Sequence, residues 1–77
     1  LRVYLEMESI DYVKGLIRTV RSNGMRVSGM ELQKPKSGMQ NAVGIALVVK
    51  KNTRRNPVDM LDVISRTEGL TFIEETL

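Results

Sequence analysis

The sequence predicts an α+β domain, a two-layer sandwich of one antiparallel sheet and two helices, and three observations carry that prediction. Apolar residues fall at every second position at the start of the chain, in "LRVYLEM". Two later segments, 9–23 and the one opened by Asn56 and Pro57, repeat them at helical spacing, and each is closed by a glycine. Between those helices lies "AVGIALVV", residues 42–49, apolar or glycine at every position; a strand with one wet face would alternate, so this one reads as a central strand whose second face is apolar as well.

In the first segment Leu1, Val3, Leu5 and Met7 share one side and Arg2, Tyr4 and Glu6 the other, which is the pleat of a strand. Ser9 then supplies an N-cap for a helix over 9–23, with Asp11 in its first turn, Val13, Leu16, Ile17 and Val20 as its apolar stripe, and Gly24 as a left-handed stop. In "MRVSGMELQK" Val27 and Met30 are three apart but Met30 and Leu32 two apart, with Gly29 between, so this strand is expected to bulge before continuing. "KPKSG" is a turn, and the strand containing 42–49 runs on to Lys50.

Asn56 followed by Pro57 marks a second helix start, because Asn accepts a bond from an orphan amide and proline needs no partner at the first helical position. Val58, Leu61 and Ile64, with Met60 beside them, form its buried stripe before Gly69 ends it. "LTFIEETL" reads as a last strand with Leu70 and Ile73 facing the core. Strand, helix, strand, strand, helix, strand with right-handed crossovers gives a ferredoxin-like βαββαβ sandwich of sheet order 4-1-3-2, with both helices on one face.

Seventy-seven residues make a single domain, 1–77. With no cysteine and no histidine the chain has neither a disulfide staple nor the usual soft-metal ligands and general base. No apolar run approaches the roughly 18 residues of a membrane helix. Leu1 already stands inside a strand pattern, so the domain is expected to have been cut from a longer chain. Other functions that this topology hosts are excluded by motif. RNA-recognition modules stack bases on aromatic central strands, and "VGIALVV" has none, so nucleic acid is not an expected partner. A phosphate-cradling loop needs glycine and arginine where this chain has "MESIDY". Asp59 with Asp62, and Glu74 with Glu75, are read as solvated charge rather than a cation site, so no catalysis, metal or cofactor is expected.

Two surfaces remain as candidates. The third strand should turn Val43, Ile45, Leu47 and Val49 under the helices and leave Ala42, Gly44, Ala46 and Val48, beside Tyr4, on a bare and smooth face fit to dock protein, a second copy included. The basic stretch "KKNTRRN" puts Lys50, Lys51, Arg54 and Arg55 at the same end as Arg2 and Arg21, a patch suited to an anionic lipid surface.

The pattern resembles the ACT-like regulatory domains. The resemblance rests on "GLIRTVRSNGMRVSGMELQK", "AVGIALVV" and "DMLDVISRTEGLTFIEE", and spans nearly the whole chain. Amino-acid-binding members place a glycine where the first helix begins; Glu8 and Ser9 stand there in this chain, and Gly15 lies inside the predicted helix. Within the group the chain looks most like the cytoplasmic C-terminal domain of the MgtC/SapB family, bacterial membrane proteins linked to magnesium limitation and transport, which generally lacks that glycine. The resemblance implies a non-catalytic regulatory module tethered to the cytoplasmic membrane, with its own membrane domain or another copy as partner and a small-molecule ligand left open. The alternatives are an ACT-type small-molecule sensor of a soluble enzyme or regulator, and a structural oligomerisation module.

Overall fold

The computed structural model describes residues 1–38, 40–51 and 57–76. Strand β1 (Arg2–Met7) leads through a 3-10 turn (Ile10–Tyr12) into helix α1 (Val13–Ser22); β2 (Met25–Gln33), β3 (Val43–Lys51), helix α2 (Pro57–Ser65) and β4 (Leu70–Glu75) follow. The sheet order is β2-β3-β1-β4, which counted from the β4 edge is 4-1-3-2, and all neighbouring strands are antiparallel.

Period-two patterning in β1, set against the continuous apolar run of β3, builds the core. Leu5 pairs with Ile45 and Val3 with Leu47, all four fully buried, and Leu16 and Val20 of α1 and Met60 and Ile64 of α2 close over them. Both helices therefore share one face of the sheet. Val43, Leu70 and Ile73 pack against this core while half-buried. The expected Asn56 cap and the Val58 side chain lie outside the described residues.

The helix predicted over 9–23 is shorter and begins differently. Ser9 does cap, its Oγ accepting from the Asp11 amide at 3.2 Å, but the turn it caps is 3-10, closed by Tyr12 N–H to the Ser9 carbonyl at 3.3 Å. A reason lies in Tyr12, whose ring sits against Gly69: a Cβ on Gly69 would fall 2.3 Å from the ring. Helix α1 ends at Asn23 and Gly24, the latter at φ 75°, the left-handed stop a C-terminus favours.

The bulge in β2 follows from the spacing that predicted it. The register slips between Val27 and Gly29, so Val27 lies opposite Val49 and Met30 opposite Leu47, both on the helix side. Beyond the slip the strand leaves cover: Met30 is 43% exposed and Leu32 54%, although their partners Leu47 and Ile45 are core residues.

One polar atom stands out at the end of α2. The Thr67 amide bonds the Ile64 carbonyl, but its buried Oγ1 has no partner among the described residues. Since a buried, unbonded hydroxyl costs more than a methyl of the same shape, Thr67→Val is expected to raise unfolding free energy by about 1 kcal/mol in urea titration.

Candidate functional site

The topology gathers positive charge at one end of the sheet. β1 and β2 begin there and β3 ends there, so Arg2 lies opposite Val48, Arg26 opposite Lys50 and Met25 opposite Lys51. Helix α1 runs back along the sheet and delivers Arg21 to this end just before β2 starts. Arg2, Arg21, Arg26, Lys50 and Lys51 are all exposed. None is ion-paired among the described residues, where the two bridges are Lys36 to Glu74 and Arg66 to Asp62. The structure thus brings Arg2, Arg21, Lys50 and Lys51 together as expected; Arg54 and Arg55 lie outside the described residues. Arg26 was not expected. It joins because it is the second residue of β2, which starts at this end, and the register sets it opposite Lys50.

The face turned away from the helices departs from the smooth platform expected of it. Tyr4 is only 5% exposed and Glu6 only 2%, both on the side that no helix covers. What covers them is the segment after β2. The Lys36 amide donates to Glu6 Oε2 at 2.7 Å and to Tyr4 Oη at 3.2 Å, the Ser37 amide reaches the same carboxylate oxygen at 3.4 Å, and Tyr4 Oη donates to it at 2.6 Å. The Lys36 side chain continues over the Tyr4 ring, 4.7 Å from its centroid, to Glu74 Oε1 at 3.3 Å. One carboxylate therefore pins a strap across the sheet. Gly44, opposite Glu6, makes the room: a Cβ there would lie 2.8 Å from Tyr4 Oη and 3.1 Å from the Gln33 carbonyl.

The expected docking face is corrected accordingly. Tyr4 and Gly44 are buried under the chain's own strap, while Ala42, Ala46 and Val48 remain half-buried. The physical reason is that an ionised carboxylate buried beside Tyr4 recruits the nearest free amides. The strap also builds a shallow cavity of about 380 Å³ between Glu6, Lys36 and Ser37 on one side and Thr71 and Phe72 of β4 on the other.

Electrostatics of the strap follow the same bonds. The Tyr4 hydroxyl, and then the Ser37 and Lys36 donors, hold the Glu6 carboxyl below its ordinary value of 4.5 against the opposing effect of burial. Burial, then the bond to Glu6, raises the Tyr4 phenol above 10.0. A lowered carboxylate stabilises the fold above its unfolded value and loses that effect as pH falls through the folded one; a raised phenol loses its effect as pH rises through the folded one. The strap is therefore expected to be intact from pH 4.5 to 10.0, with urea midpoints flat across that window and falling outside it.

Asp62 is engaged by Arg66 at 2.8 Å and Glu74 by Lys36, and no group of three acids is placed to hold a metal among the described residues. Among them, too, no helix is long and apolar enough to cross a membrane. No protein-family model matches the chain and no curated protein matches it.

Proposed function

We propose that this chain is a non-catalytic regulatory and interaction domain that works against an anionic membrane surface, as part of an MgtC/SapB-like membrane protein associated with magnesium limitation or transport. The reading takes the sandwich as ferredoxin-like and ACT-type, cytoplasmic and tethered at the membrane. What supports it is the basic pole: five exposed cations from β1, α1, β2 and β3 at one end, none of them in an ion pair among the described residues, against the single exposed Glu75 that β4 brings opposite Val3.

Each cation held near an anionic leaflet contributes about 1 kcal/mol, and the effect fades over a Debye length of about 8 Å in physiological salt. Five at one pole are enough to orient a small domain. Nucleic-acid phosphate offers the same charge, but the exposed sheet presents no aromatic row for stacking bases.

Vesicle co-sedimentation tests the reading. The domain is expected to bind vesicles rich in phosphatidylserine, to ignore neutral ones, and to be released by salt. Lys50→Gln with Lys51→Gln removes two contributions and should weaken binding about 30-fold. Binding indifferent to lipid charge and salt, or absent altogether, overturns the reading.

A second reading, a small-molecule sensor of the ACT type, is favoured by the cavity beside Phe72. A ligand there at 100 times its dissociation constant would stabilise the fold by about 2.7 kcal/mol, which a thermal-shift screen of amino acids and nucleotides reads directly.

A further inference from the structure

We infer, resting on the reading of the cavity beside Phe72 as a ligand site, that its ligand is a small organic cation, an alkylammonium carrying an apolar body, and that the Lys36 side chain is the site's internal occupant. Register builds the site. On the face that no helix covers, β1 sets Tyr4 opposite Glu74 and Glu6 opposite Phe72 of β4, so aromatic rings and carboxylates alternate over four neighbouring positions. The two ring centroids stand 6.2 Å apart with their planes tilted by 58°, so the rings meet at an angle instead of stacking flat.

A ring face and a carboxylate both attract positive charge and both disfavour negative charge. The chain already shows what this combination holds. The Lys36 ammonium stands 4.7 Å from the Tyr4 centroid and 3.3 Å from Glu74 Oε1, yet its side chain is 70% exposed and can swing into water at little cost. The backbone stays behind. The Lys36 amide donates to Glu6 Oε2 at 2.7 Å, so the strap remains closed when the side chain leaves. The adjoining cavity of about 380 Å³, walled by Thr71 and Phe72 opposite the strap, has room for the apolar body that lysine lacks.

Three probes of one shape test the inference: phenethylammonium, neutral 2-phenylethanol and anionic 3-phenylpropionate, each followed by NMR at the Tyr4 and Phe72 rings. The cation alone is expected to shift both rings, saturably. Lys36→Ala removes the internal competitor and should bind the cation about fivefold more tightly than the native chain, and Lys36→Ala/Glu74→Gln should lose that gain. If Lys36→Ala does not fold by circular dichroism, Lys36→Gln replaces it in the same comparison. N-acetyl-lysine methylamide, which stands for a lysine of another protein and leaves the cavity unfilled, should bind more weakly than phenethylammonium; tighter binding of it overturns the inference. Equal binding of 2-phenylethanol, or no gain in Lys36→Ala, overturns the inference and leaves the cavity a ligand site of other chemistry. Silence toward every probe, with a response to an amino acid or nucleotide in the thermal-shift screen, does the same, whereas silence in both overturns the reading of the cavity as well.

Discussion

Glu6→Ala is expected to free the strap: amide exchange at Lys36 and Ser37 should accelerate about tenfold or more while the amides of β1 and β3 keep their protection. The substitution removes the acceptor shared by the Lys36 amide, the Ser37 amide and the Tyr4 hydroxyl, and leaves the Lys36 amide only its longer bond to Tyr4 Oη at 3.2 Å. It does not touch the opposite face, where Leu5 and Met7 hold β1 in the core. Glu6→Gln keeps a neutral acceptor oxygen and should fall between Ala and the native residue. Unchanged exchange at Lys36 and Ser37 in Glu6→Ala would mean that packing of Lys36 on Tyr4, not the carboxylate, holds the segment down.

Gly69→Ala should lower unfolding free energy by about 3 kcal/mol, the sum of a left-handed backbone that alanine resists and an overpacked contact. The residue sits at φ 86°, and an added Cβ would come within 2.3 Å of the Tyr12 ring. The Gly69 carbonyl also accepts from the Glu8 amide at 2.8 Å, so the same residue ties the α2–β4 turn to the β1–α1 connection. Pairing Gly69→Ala with Tyr12→Ala should recover part of the loss in a double-mutant cycle, since the smaller side chain relieves the contact but not the backbone strain. Equal losses with and without Tyr12 would place the whole effect in the backbone.

These two residues also show which parts of the molecule are legible in the sequence. The apolar patterns of β1, α1 and β3 are local, and they gave the element order and the residues of β1 and β3 that face the helices, whereas the pairing of Leu5 with Ile45 and of Val3 with Leu47 is seen only in the structure. The bulge was legible because Val27 and Met30 break a period of two in a way only an extra residue repairs. The strap was not. It depends on a bond between Glu6 and an amide 30 residues away, and in "LRVYLEM" Glu6 looks like any solvent-facing position of a half-buried strand. Its trace in the sequence is Gly44 opposite Glu6, which becomes informative only once the register of β1 and β3 is known.

The basic pole divides the same way. Lys50 and Lys51 announce themselves as a run, Arg2 and Arg21 follow from the predicted topology, and Arg26 joins them as the second residue of β2, opposite Lys50. The pole is thus a product of chain direction as much as of composition: a net charge of +3 over 77 residues is modest, but five of its cations share one end.

Because the chain has no cysteine of its own, one introduced thiol can report which end meets the bilayer. An environment-sensitive fluorophore on Ser22→Cys, beside the basic pole, is expected to brighten and shift to the blue when phosphatidylserine vesicles are added, whereas the same label on Glu8→Cys, at the far end of β1, stays unchanged. A response at position 8 with none at position 22, or equal responses at both, would contradict the account.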